Sequence, residues 1–456
     1  MTSSFACRKL TVLAVFHCAA IFAAEYKAGI ATQTITPTEP IYLTGYANRT
    51  HPSEGVVHDI KAKALAIEDR SGGKVVIVTT DLIGLPRSIT DAIAARVQKD
   101  HGIDRSRLII NSSHTHTGPL IAHNLELMFD LKPDEQRVVD EYSRKLTADL
   151  VAVIGKAIQS MEPADLWFGN GHAHFAINRR EPTPKGVRIG LNPSGPIDPD
   201  VPVLKVTSAD GKVRVLLFGY ACHNTTLGGD IYKISGDYAG FAQIAIESAE
   251  PGVTAMFMML CGADANPNPR GKLELAEQHG RALADDVIHV AADRMSKVQG
   301  KTHAAFQIVE LGFNAYPREM LEQELKSKNI WHARYAAAML KMMDEGHPIR
   351  RYPYPIQAVQ FGKDLTVVAL GGEVVVDYCL WVKKNYGAKG ILVAGYSNDV
   401  MSYIPTVKIL KEGGYEPVES MYYYGLPGPY NDNVEEQIHA TLRQVLKRVG
   451  RHPVTQ

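Results

Sequence analysis

The chain has 456 residues, of which 45% are hydrophobic and 21% charged, with 49 basic and 49 acidic side chains. That length can hold one large domain or two to three ordinary ones, and the apolar content suffices for a packed core. A formal charge of zero excludes nucleic acid as the main partner, because binding phosphates needs a basic face.

From the N-terminus, Arg8 and Lys9 precede the apolar run TVLAVFHCAAIFAA, which closes in small residues at Ala24. This order predicts a signal peptide over 1–24, too short to span a bilayer comfortably, and a secreted or periplasmic mature chain over 25–456. Cleavage would remove Cys7 and Cys18. Cys222, Cys261 and Cys379 remain, which is no disulfide framework, so the fold must rest on its core.

Three segments share one pattern: LAIEDRSGGKVVIVTTDL, VLKVTSADGKVRVLLFGYACH and IQAVQFGKDLTVVALGGE. Each reads as strand, polar turn, strand. Helical periodicity comes between them. SITDAIAARVQKDHG has Ser88 as its expected N-cap and ends at Gly102, and RLIINSS returns as a strand, so a βαβ-like unit delivers His114. EQRVVDEYSRKLTADLVAVIGKAIQSM, LELAEQHGRALADDVIHVAADRM and VEEQIHATLRQVLKRV read as amphipathic helices, and KGVRIGLNPSGPIDPDVP as a long loop. The expected architecture is a single large α/β domain, mixed β-sheets flanked by helices, with a zinc site at the strand C-terminal ends.

Ligands in α/β proteins collect beyond those ends. There the sequence places His114 and His116 (in NSSHTHTGP), His223, then Cys261, Asp264 and Asn266, then Glu373, and Tyr403. In an extended segment His114 and His116 share one face. They are either a metal and acid-base pair or polar surface residues. His114, His223 and Glu373 would suit a hydrolytic zinc site, although no HExxH motif is present.

Several motifs resemble the catalytic domain of the neutral (non-lysosomal) ceramidase family. THTGP is similar to its THTHSGP, INRR to its NR pair, ISGDYAG to its SGDxxG turn and GADANPN to its GDVSPN. GGE, SNDVMSYIPT and GGYE follow in the family's order, covering nearly the whole mature chain. The resemblance implies that His114, His223, Glu373 and Tyr403 bind zinc and that His116, Arg179 and Tyr415 line the catalytic pocket. Asp264 and Asp237 would orient ligand histidines from behind. Asn266 stands where the family has the serine described as its nucleophile, and an amide cannot take that role. The family's C-terminal immunoglobulin-like domain is expected to be missing.

Other residues draw ordinary readings. His172 and His174 are expected to face solvent on a half-exposed edge strand. The sequons at Asn111 and Asn224 fall inside the expected pocket, where a glycan would block it. Cys222 and Cys261 are expected as small buried hydrophobes. Trp331, Tyr335, Met339 and Met342, at helical spacing, read as core rather than tunnel wall. The expectation for function is a zinc-dependent amidohydrolase acting through activated water on an N-acyl substrate, a ceramide or ceramide-like lipid or an amino sugar, with transient contact to a membrane surface and no protein partner legible. A zinc-dependent esterase or lactonase is one alternative. A metal-dependent binding protein without chemistry is the other.

Overall fold

The computed structural model describes residues 24–293 and 295–454. Apart from Ala24, the expected signal peptide lies outside them. Two sheets dominate. In the larger, strands lie in the spatial order Thr254–Met259, Val213–Tyr220, Asp200–Ser208, Glu162–His172, Tyr26–Thr34, Lys61–Asp69, Lys74–Thr80 and Leu108–Ser112, with Ser296–Val298 added beside Glu162–His172. The smaller runs Thr302–Gly312, Arg351–Phe361, Leu365–Leu370, Ile391–Ala394.

The inner faces of the sheets meet. Leu65, Ile77, Leu204 and Leu217 pack in one cluster with Val359, Phe361, Val367 and Leu392. Helices cover the outer faces. Arg87–His101 and Pro133–Gln159 bury their apolar stripes on one part of the large sheet, and Asp237–Ala249 and Leu273–Ala292 on the other. Val376–Tyr386 and Val434–Arg448 close the smaller sheet. The chain is thus a mixed α/β domain of helices, sheet, sheet and helices.

Three parallel strand pairs set the functional geometry. Lys74–Thr80 pairs with Leu108–Ser112, Val213–Tyr220 with Thr254–Met259, and Leu365–Leu370 with Ile391–Ala394. Each pair is joined by one of the helices above, because parallel neighbours need a crossover. Their C-terminal ends converge through isolated bridges, Asn111 to Ser397, Leu260 to Ala394 and Thr115 to Asn224. Asn111 ties all three. Its amide donates to Met259 O, Gly395 O and Ser397 Oγ at 3.1, 2.9 and 3.1 Å, and its carbonyl accepts from Met259 N at 2.8 Å. Asn111 and Asn224 are fully buried, so neither sequon carries a glycan in this fold.

Some expectations are corrected. Ser88 does not cap its helix: the helix spans Arg87–His101 with Pro86 at the N-cap and no side-chain cap bond, while Gly102 ends it at a left-handed φ of 67° as expected. The presumed long loop contains a strand, Gly186–Asn192, pairing antiparallel with Ala176–Thr183, and Asp200–Ser208 begins before the loop was expected to end. Proline and glycine masked the alternation of Val187, Ile189 and Leu191. His172 and His174 are exposed as expected: Glu162–His172 has neighbours on both sides only through Phe168, and the end bearing His172 pairs with Asp200–Ser208 alone. Tyr335 and Met339 are buried in a satellite cluster. Met339 and Met342 also line a cavity of about 440 Å³ with Phe313, Leu321 and Pro427.

Because Asn111 fills every hydrogen-bonding position it has in a buried setting, Asn111→Ala should cost on the order of 3 kcal/mol. Denaturant titration should show the midpoint falling with the slope unchanged.

Candidate metal centre

The Leu108–Ser112 strand stops two residues before His114, whose φ of 62° lies in the left-handed region. The shared direction of His114 and His116 therefore comes from a strained turn and not from strand alternation. A non-glycine residue there costs about 1–2 kcal/mol and persists only where its surroundings hold it. Tyr396 and Asn398, which follow the Ile391–Ala394 strand, have φ of 48° and 68°. The strain thus clusters at the convergent strand ends.

His114, His223 and Glu373 meet there and are all buried. His114 Nδ1 lies 2.6 Å from Ile83 O and His223 Nδ1 2.9 Å from Gly262 O. A carbonyl only accepts, so each Nδ1 carries a hydrogen and each neutral ring turns an Nε2 lone pair inward. Glu373 Oε2 sits 3.0 Å from His114 Nε2 and 3.1 Å from His223 Nε2. Tyr403 OH lies 3.2 Å from His223 Nε2. The short Glu373–Val374 and Tyr403–Ile404 strands pair in parallel, with Glu373 directly opposite Tyr403.

The inward atoms of His223 and Glu373 are acceptors aimed at each other, as is His114 Nε2 in the neutral ring, while Tyr403 OH can donate to His223 Nε2. Burial and then the nearby Arg179 cation push His223 down to about 3, so it stays neutral. Such a set is stable around a cation. Four ligands at about 2.0–2.1 Å in a tetrahedron stand about 3.3 Å apart, close to the separations observed here. The residues therefore fit a metal of that coordination.

His116 joins the cluster. Its Nε2 is 3.1 Å from His114 Nε2, and ring nitrogens of His114, His116 and His223 all lie within 4.8 Å of one another. Its buried Nδ1 has no hydrogen-bond partner. Burial, followed by His114 and His223, drives it well below its ordinary pKa. Gly45, at φ 94°, lies against this ring: a Cβ there would come within 2.5 Å of His116 Cγ.

Arg179 spans the other wall. Its Nη2 donates to Tyr403 OH at 3.0 Å, its Nε to Glu416 Oε1 at 2.9 Å, and its Nη1 to Asn266 Oδ1 at 3.4 Å. Its guanidinium carbon lies 5.4 Å from the Tyr403 ring centroid and 5.8 Å from that of Tyr415. Tyr415 opens a π-helical turn, Tyr415–Glu419, and its ring stands 5.5 Å from that of Tyr403. All eight residues expected at the site are therefore neighbours.

Two expected supports hold other groups instead. Asp264 accepts from Val376 N and Asn178 Nδ2, and Asp237 from Leu227 N and Tyr238 N. Neither bonds a ligand histidine, because backbone carbonyls already hold both Nδ1 atoms. Sequence reasoning also missed Tyr424, whose OH donates to Glu373 Oε1 at 2.6 Å, and Tyr396, whose OH is 3.5 Å from Glu373 Oε2. Glu416, seen only as part of GGYE, anchors Arg179 and also accepts from Arg180. The tyrosine run at 422–424 was the available signal.

A family model described as neutral/alkaline non-lysosomal ceramidase, N-terminal, matches residues 26–274. The neutral ceramidase of Pseudomonas aeruginosa is 24% identical over 262 residues, covering 53% of this chain and 37% of that protein. The neutral ceramidase of Drosophila melanogaster is 31% identical over 115 residues, 24% of this chain and 16% of that one. The matches thus span little more than a third of these relatives' length at most. The crystal structure of neutral ceramidase from Pseudomonas aeruginosa shares the fold, with a TM-score of 0.72, 19% identity, and coverage of 95% of this chain and 76% of that one.

If the centre holds a cation, adding zinc to chelator-stripped protein should raise unfolding free energy by about 4 kcal/mol at a thousandfold excess over Kd. His114→Ala and His223→Ala should abolish that gain. Tyr424→Phe should weaken metal affinity by about 10- to 100-fold with the fold intact, as competition against a chromophoric chelator would report.

Proposed function

Because the chain belongs to the neutral/alkaline non-lysosomal ceramidase family, we propose that it is a zinc-dependent hydrolase cleaving the amide of an N-acyl substrate, a ceramide or ceramide-like lipid or an amino sugar. The observation that carries this reading is the convergence of His114, His223, Glu373 and Tyr403 on one point beside His116 and Arg179. Two imidazoles, a carboxylate and a phenol form a mixed nitrogen and oxygen set of the kind zinc takes. When bound, zinc supplies a Lewis acid and lowers the pKa of water.

The chain's own groups supply the rest. His116, neutral and with its Nε2 turned toward the cluster, accepts the proton of the attacking water and returns it to the leaving amine. Arg179, fixed by Glu416 and Tyr403, holds the substrate's carbonyl oxygen as charge grows there, and Tyr415 completes that wall. Asn266 accepts from Arg179 Nη1 and from Thr225 Oγ1 at 3.3 Å, which makes it a support for the cation and no nucleophile. Direct attack by water follows, in place of an acyl-enzyme.

Approach from a lipid surface is part of the proposal. Ile189 and Leu191 are 47% and 55% exposed on the strand beside Arg179 and Arg180, with exposed Lys185 at the turn. Apolar side chains flanked by a cation suit an anionic interface. Export by the 1–24 segment and a catalytic unit over 25–456 complete the reading.

A panel of fluorogenic amides and esters should show amide hydrolysis that a chelator abolishes and zinc restores. His116→Ala should lower kcat by about 100- to 10,000-fold with zinc retained. Activity indifferent to chelation, or confined to esters, would defeat the amidase reading. Ile189→Asp with Leu191→Asp should lower activity on substrate in anionic vesicles and spare a soluble short-chain amide.

A further inference from the structure

Arg49 is 3% exposed, and no carboxylate among the described residues forms an ion pair with it. Its guanidinium donates to backbone carbonyls alone. Nη1 donates to Thr44 O at 2.8 Å and to His116 O at 2.7 Å, and Nη2 donates to Ile231 O at 3.0 Å. Nε has no partner. One planar fork therefore ties together three loops that are distant in sequence, and one of them carries His116.

The same group also reaches the His116 ring through an aromatic. The Arg49 guanidinium carbon lies 5.1 Å from the Tyr46 ring centroid and 5.9 Å from that of Tyr232. The Tyr46 ring meets the His116 ring edge-on at 5.0 Å. Tyr46 is itself pinned, donating from its OH to Leu227 O at 2.8 Å. His116 is thus held at its carbonyl by Nη1 and at its ring by Tyr46, with Gly45 closing the space between.

As a stability device this is a poor one. A buried cation with no ion-pair partner, Asp230 acting on it only from beyond ion-pair range, loses its hydration and regains only neutral acceptors by direct contact. An unbranched apolar side chain of similar length would remove the buried charge, at the cost of leaving the three carbonyls without this donor. As a geometric device it is good, because the guanidinium presents its donors in a fixed fork that an ammonium cannot imitate. His116 needs such a device, since neither of its ring nitrogens bonds a backbone carbonyl of the kind that aligns His114 and His223.

We infer that Arg49 is a positioning residue that fixes the His116 imidazole at the edge of the metal centre by clamping three loops through their carbonyls. The consequence for turnover rests on the hydrolase reading above, while the geometric claim stands apart from it.

The test compares Arg49→Met and Arg49→Lys in the full chain, both loaded with zinc. Arg49→Met should keep its zinc content and circular dichroism while kcat for the amide falls about 100-fold, the scale of a small misplacement of a reacting group, with KM changed less than about threefold. Arg49→Lys should recover only a small part of that loss. Separately, ¹⁵N-histidine NMR of each variant should show the His116 ring resonances displaced and those of His223 unmoved. Wild-type kcat together with unmoved His116 resonances in either folded, zinc-loaded variant would overturn the inference. Should Arg49→Met fail to fold, Arg49→Lys is judged on the same two readings. If the wild type hydrolyses no amide, the hydrolase reading fails, and the resonances alone decide whether Arg49 sets His116.

Discussion

Two buried imidazole lone pairs, each about 3 Å from one carboxylate oxygen, are the constraint around which this molecule is organised. In a low-dielectric interior such a grouping repels itself unless a cation sits among its members. Burial and the nearby Arg179 cation keep His223 neutral, so its lone pair stays available at ordinary pH. What remains is a pocket of negative potential shaped for a metal, edged by the guanidinium of Arg179.

The fold supplies the constraint through its crossovers. Three parallel strand pairs, each wrapped by a helix, end at one place, and the donors sit in the turns just beyond. Backbone carbonyls of Ile83 and Gly262 fix the imidazole tautomers without adding charge to the site, as a second carboxylate would. Asn111 staples the three strand ends from beneath, and the left-handed turns at His114, Tyr396 and Asn398 are tolerated because so much surrounding structure over-determines them. The charge of Glu416 is shared between Arg179 and Arg180, which leaves Arg179 cationic toward the pocket.

Much of this was legible in the sequence, for physical reasons. Strand-turn-strand alternation and helix periodicity placed the elements, and the rule that ligands gather beyond strand ends found His114, His223 and Glu373 without contact information. Tyr403 lies at such a strand end too, and motif resemblance then added Arg179 and Tyr415, which spacing alone could not single out. What stayed hidden depends on three-dimensional closure. Nothing local distinguishes Tyr424 from its neighbours Tyr422 and Tyr423, and only the packed structure turns its hydroxyl onto Glu373. Asp264 and Asp237 looked like supports because they follow strands or glycine turns, but their oxygens are spent on backbone amides and, for Asp264, on Asn178. The Gly186–Asn192 strand was read as loop because proline and glycine mark its flanks while its alternation is short.

X-ray absorption at the zinc edge of purified, zinc-loaded protein probes the central claim most directly. The account predicts one ion per chain with a shell of four nitrogen and oxygen neighbours at about 2.0 Å, the multiple-scattering signature of two imidazoles, and the loss of one of them in His223→Ala. A sulfur shell, an ion without imidazole scattering, or a spectrum unchanged by that substitution would contradict it.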